Sequence, residues 1–224
     1  MVALLVVLTV LAFLTVDYFL QKRHAAAPAP SLASAGPAGL YGRAGYRVPQ
    51  GVFFAPGHTW MHLEDSGVAR LGVDDFAASI VGDIHEIRAL EPGQSVRKGE
   101  PILHLRHGER EITFRSPIDG EVREINQNIL ESRDILGIDP HAASWVYRIK
   151  PDDTSNLVDG MMLGHMAKEW LRREVSRLKV FLSTIAPEHP VLGTTMQDGG
   201  LPSYGLIDFM DEEEWSKLRE KFLS

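Results

Sequence analysis

Six short β-prone runs, at residues 68–73, 82–90, 102–106, 111–115, 121–125 and 145–149, are punctuated by Gly93, Gly99, Gly108 and Gly120. Runs of this length between turn residues predict the hairpins of a small barrel or sandwich. Glycine suits the turns because it reaches positive φ without a Cβ clash. One helix interrupts the series: Asp74 is placed as N-cap to residues 75–81 and Gly82 as the terminator. The expected class is therefore mostly β.

What flanks these runs is of a different kind. Residues 2–16 carry no charge and are dominated by Val, Leu and Ala, and Asp17-Tyr18-Phe19-Leu20 extends them. Together they reach roughly 20 residues, the length of a helix that crosses the hydrocarbon core. A cleaved signal peptide is the rival reading, with Ala25-Ala26-Ala27 as its small-residue site, but no basic residue precedes the apolar run. Lys22 and Arg23 follow it, which places that side in the cytoplasm. The expectation is a single-pass anchor in the inner (cytoplasmic) membrane with a cytoplasmic body. Asp17 falls in the last turn of the span, where it can reach Lys22 or Arg23 or contact a partner helix. The Ala, Pro, Ser and Gly of residues 25–40 cannot bury a core and read as a tether.

On the carboxyl side, Leu163, Met166, Ala167, Trp170, Leu171, Val175, Leu178, Phe181, Leu182 and Ile185 share one helical face. Lys168, Glu169, Arg172, Arg173, Arg177 and Lys179 fill most of the other. Such a helix packs on its own domain, on a partner protein or on lipid headgroups. Pro187 and Pro190 stop it. A Gly- and Pro-containing arm leads to a short helix capped by Asp211 and Glu214, with Trp215, Leu218, Phe222 and Leu223 as its apolar face. A short helix cannot hide that face alone. Trp170, Phe181, Trp215, Phe222 and Leu223 are the expected partner-binding anchors, with packing on the chain's own β-module as the competing expectation. The chain divides into an anchor (1–20), a tether (21–40), a β-module (41–155), an amphipathic helix (156–186), and an arm with a short helix (187–224).

Several chemistries are set aside. A net charge of -7 offers phosphates no basic face, so no nucleic acid is expected. The absence of cysteine removes disulfides, thiol catalysis and cysteine-ligated metals. His58 with His62 and His104 with His107 have ligand-like spacings, but no acidic or Cys third ligand stands at a diagnostic distance, and no metal is expected. His107 with Glu109 on an exposed turn is read as a solvated or partner-contacting tip and not as a catalytic pair.

An ordered set of motifs then becomes informative. His58-Thr59-Trp60, residues 69–77, Gly82-Asp83-Ile84, Pro92-Gly93, residues 96–99, residues 116–122, Asn126, Asp139-Pro140 and residues 145–151 follow one another with compatible spacing. In these residues the segment 58–152 resembles the H protein of the glycine cleavage system, a lipoyl-carrying relative of the biotinyl/lipoyl domains. The resemblance implies a lipoyl-like barrel-sandwich hybrid. It also implies a carrier lysine in a Glu-Ser-Val-Lys-Ala pattern. Counting from Gly99 or from Ser116 brings that position to Glu109, within Arg106-His107-Gly108-Glu109-Arg110. The family's acidic residue three places earlier is Arg106 here, and residues 99–149 contain no lysine. Lys98 belongs to another turn.

An amide-linked lipoyl group requires an amine. The expectation is therefore a chain without a cofactor: a non-catalytic, membrane-anchored, H-protein-like accessory or adaptor subunit of a membrane protein complex, redox and respiratory-type assemblies being candidate hosts. The alternative is a lipoyl-type carrier of one-carbon chemistry with a non-standard attachment site.

Overall fold

A computed structural model of the chain describes residues 46–131, 144–185 and 205–223. The expected span, the tether, and Asp17, Lys22 and Arg23 lie outside them. Among the described residues no helix is long and apolar enough to cross a membrane.

The strands are β1 (Val52–Phe54), β2 (Thr59–Leu63), β3 (Ala69–Val73), β4 (Glu86–Ala89), β5 (Ser95–Val96), β6 (Pro101–His107), β7 (Arg110–Arg115), β8 (Gly120–Ile125), β9 (Trp145–Pro151) and β10 (Met162–Leu163). The helices are α1 (Asp75–Val81), α2 (Gln127–Glu131), α3 (Gly164–Ile185) and α4 (Glu212–Phe222), with a 3-10 turn at Leu206–Phe209. The strands form a seven-stranded sheet in the order β10-β1-β2-β3-β9-β8-β5 and a three-stranded sheet in the order β4-β6-β7.

Side-chain alternation explains the smaller sheet. In the β6–β7 pair Leu103 faces Phe114 and Leu105 faces Ile112, all four buried. Between them His104 faces Thr113 and Arg106 faces Glu111 on the outer side. Period-two alternation of this kind commits one face to a core and the other to water. The buried face meets the larger sheet: Tyr147 of β9 donates its hydroxyl to the Ile102 carbonyl and accepts from the Leu90 amide. Only about 10 Å³ is left open between residues such as Leu71, Ile102, Phe114 and Tyr147, in keeping with close-packed interiors. At Gly72 the indole of Trp60 lies where a Cβ would stand, 2.6 Å away, while its Nε1 donates to the Val73 carbonyl. A side chain at 72 would expel that ring.

Helix α1 is capped as its sequence predicts. The Asp74 carboxylate accepts from the Ala77 amide at 2.9 Å, and Gly82, at φ 70°, ends the helix with its N–H on the Ala78 carbonyl. The strand expected over residues 82–90 contracts to Glu86–Ala89 for that reason. The sheet also continues beyond residue 155, because Met162 and Leu163 of β10 pair with Phe54 and Phe53 of β1.

Helix α3 buries Ala167, Trp170, Leu171, Leu178, Phe181, Leu182 and Ile185 against this module. Two members of the expected stripe depart from it: Met166 is 65% exposed and Leu163 42%. Helix α4 opens with a complete capping box, Asp211 accepting from the Glu214 amide and Glu214 from the Asp211 amide. Phe222 packs within 6.1 Å of both Phe76 and Phe181.

This packing corrects the expectation of exposed docking anchors. Trp170, Phe181, Trp215, Phe222 and Leu223 are all buried in the chain's own core. The apolar face of the tail does need a docking surface, and this chain supplies it through α1 and α3. The physical reason is proximity: a surface tethered to the tail in the same chain wins over one that must first associate.

Candidate functional site

The β6–β7 hairpin closes one end of the smaller sheet. His107 pairs with Arg110, so Gly108 and Glu109 alone make the turn. Gly108 takes φ 58°, the left-handed value that a tight two-residue hairpin requires at its first central position. Glu109 follows it at the tip and is exposed.

The two residues beside this turn are held by the carboxyl-terminal segment. The Arg110 guanidinium donates to the carbonyls of Ile207 and Met210, pairs with Glu212 at 3.2 Å, and stands 5.7 Å from the Trp215 ring centroid. His107 places Nδ1 on the Asp83 carbonyl and Nε2 on the Asp208 carboxylate at 2.5 Å. His85 stands edge-on to His107 at 5.1 Å and accepts from the Gly108 amide through Nδ1. A solvated or partner-contacting tip is therefore corrected for His107, whose side chain is only 12% exposed. The sequence hides this clasp because Asp208 and Glu212 are about one hundred residues downstream of the groups they meet.

The histidines with ligand-like spacing go elsewhere. His58 is buried, with Nδ1 2.8 Å from the Asp74 carboxylate and its ring stacked on Phe76 at 4.6 Å. Trp170 closes over the same imidazole at 4.9 Å. His62 accepts from Arg70, and His104 stands with Glu111 and Thr113 on the outer face of the smaller sheet. Among the described residues no group of three or more His, Asp or Glu converges as metal ligands do.

Beside Asp74 lies a second buried acid. Burial, and secondarily the Asp74 charge, push the Asp75 carboxyl up from 3.8 to about 7. Its native pKa is above its unfolded one, so the folded chain holds an extra proton between about pH 4 and pH 7. Stability from this group is present below that window and lost as pH rises through about 7. Replacing Asp75 with Asn should remove the loss. The urea midpoint of the variant is expected to exceed that of the parent at pH 8, by on the order of 4 kcal/mol in stability. Near pH 4 the two should converge.

Lys98, the lysine nearest the hairpin in sequence, sits in the turn between β5 and β6. Its amide donates to Asp119 and its Nζ to the Asp159 carbonyl. Glu109 itself offers a carboxylate, which has no amine with which to form an amide.

A sequence profile described as glycine cleavage H-protein matches residues 52–174. The chain is 28% identical over 127 residues to the probable glycine cleavage system H protein of Pyrococcus abyssi, covering 57% of this chain and 94% of that one. It is 29% identical over 132 residues to glycine cleavage system H protein 2 of Aquifex aeolicus, covering 57% and 82%. The crystal structure of a glycine cleavage system H protein from Mycobacterium marinum superposes with a TM-score of 0.49 at 21% identity, over 57% of this chain and 98% of that one.

A β-module of two packed sheets with an exposed two-residue hairpin defines the lipoyl-like class. Within it, the chain belongs to the glycine cleavage H-protein family. The matched residues end inside α3, so the segment that clasps the hairpin lies beyond them.

Proposed function

We propose that this chain is a non-catalytic, non-lipoylated member of its family that serves as a membrane-anchored accessory or adaptor subunit of a membrane protein complex, with redox or respiratory-type assemblies as candidate hosts. One observation carries the reading: the hairpin turn presents Glu109 where the resemblance places the carrier lysine, and residues 99–149 hold no lysine at all. A carboxylate cannot take up a lipoyl group as an amide, so the residues present do not fit that cofactor. A charge-free apolar run at residues 2–16, followed by Lys22 and Arg23, supports a single inner-membrane span with a cytoplasmic body.

The second reading is a lipoyl-type carrier of glycine cleavage chemistry with another attachment point. It is favoured by the names of the relatives, which are glycine cleavage system H proteins. Lys98 is its nearest candidate amine, although its Nζ is engaged with the Asp159 carbonyl.

Intact mass decides between them. After co-expression with a lipoate ligase the chain is expected at its unmodified mass, while a reference H protein in the same cells gains the lipoyl increment. A lipoyl increment on any lysine of this chain would restore the carrier reading.

A further inference from the structure

Helix α3 spends its apolar stripe on the chain's own core, and what it leaves outside is unusual for a protein of net charge -7. Lys168, Arg172, Arg173, Arg177 and Lys179 outnumber its two acids, Glu169 and Glu174, and Glu174 is buried. Met166 and Val180, 65% and 67% exposed, are the most exposed large hydrophobic residues among those described. With Arg173 between them they recur every seven residues, which keeps all three on one side of the helix. Beside Val180 an open groove of about 470 Å³ runs between α3 and α4. Its apolar walls include Phe181 and Phe222, and Arg177 and Lys221 are on its lining. Those two cations lie over aromatic rings, Arg177 at 5.2 Å from Phe222 and Lys221 at 5.3 Å from Phe181.

We propose that the exposed face of α3 from Met166 to Val180, with the groove beside it, lies against an anionic lipid surface. An acidic protein surface would satisfy the cations alone. Around the exposed arc Met166, Arg173 and Val180 hold one side and Lys168, Arg172 and Lys179 the other. Cations thus flank solvent-facing apolar side chains as on a helix resting at headgroup depth, its ammonium and guanidinium groups on phosphates and its apolar groups just beneath. The inference rests on the membrane reading above, which brings the bilayer within reach. The 25 residues from 21 to 45 bound the reach from the expected span at roughly 85 Å, about two and a half times the length of α3.

The lack of native cysteine makes the test direct. Val180→Cys and, as a control, Ser95→Cys are introduced separately into the full chain and labelled with an environment-sensitive fluorophore. Ser95 is exposed on β5, at the opposite edge of the large sheet from β10, which leads into α3. The labelled chains are mixed with vesicles of phosphatidylglycerol and phosphatidylcholine, or of phosphatidylcholine alone, carrying a headgroup nitroxide quencher. The expected result is quenching at position 180 well above that at 95 in the anionic vesicles. Each cation near the surface contributes roughly fivefold in partitioning, so Lys168→Glu with Arg172→Glu and Arg173→Glu should abolish the difference. About 0.5 M salt should reduce it severalfold, since it shortens the screening length well below 10 Å.

Equal quenching at 180 and 95 in anionic vesicles would overturn the inference, as would quenching indifferent to the charge reversals. Flotation of the unlabelled chain keeps it distinct from the anchor. A chain that floats with phosphatidylcholine vesicles has an anchor independent of α3. A chain that floats only with anionic vesicles lacks the anchor but retains the face.

Discussion

Deleting residues 206–224 is expected to abolish the cooperative unfolding transition of the body. The segment buries Leu206, Ile207, Met210, Trp215, Leu218, Phe222 and Leu223. Full burial of such side chains is worth roughly 1.5–3 kcal/mol each, so their removal rivals the 5–15 kcal/mol that typically separates a folded domain from its unfolded chain. The loss is compounded because Phe76 and Phe181 are then stripped of Phe222, and Arg110 of two carbonyls, a carboxylate and an indole. Trp215→Ala is the graded version, with a cost of about 3–5 kcal/mol read as a fall in urea midpoint. A truncated chain that melts within a few degrees of the parent would show that the tail is an accessory and not part of the core.

Asp74→Ala should be nearly as damaging although it removes only a carboxylate. That group does two jobs in a site excluded from water: it caps α1 through the Ala77 amide and accepts from the buried His58 ring. Breaking a buried pair on one side strands the other partner, and the expected cost is about 3–5 kcal/mol when the partner is charged and less when it is neutral. Asp74→Asn keeps a carbonyl oxygen for the cap, so it should recover the capping part, about 1 kcal/mol. Equilibrium urea unfolding of the three proteins at one pH orders them as parent, Asn, Ala. Equal midpoints for the Asn and Ala forms would mean that the cap contributes nothing and the His58 contact is the whole effect.

These two sites sit on opposite sides of what could be anticipated from sequence. Asp74 as an N-cap and Gly82 as a terminator were legible because both act on neighbours three or four residues away. The same holds for the Asp211–Glu214 capping box. Strands β1, β5 and β10 were not legible: two or three residues carry no period, and they exist only because a neighbouring strand offers its edge. Glu174 was missed as a buried residue of α3 because a carboxylate reads as solvated. Arg177, one turn on, makes its burial tolerable with bonds of 2.7 and 2.8 Å.

Local rules thus determine most of this protein: its turns, its helix ends, the inward and outward faces of its hairpin, and the order of motifs that carries family membership. They also determine that Glu109, and no lysine, stands in the tip turn. The destination of the tail was a choice between surfaces that sequence alone treats as equivalent, since an apolar stripe of Trp215, Leu218 and Phe222 fits a partner as well as it fits α1 and α3. Tertiary structure decided it, by bringing Arg110 and His107 beside Ile207, Asp208 and Met210 across about one hundred residues of chain. Contacts at that separation leave no periodic trace, because they depend on where the sheets and helices come to lie and not on the residues adjacent to them.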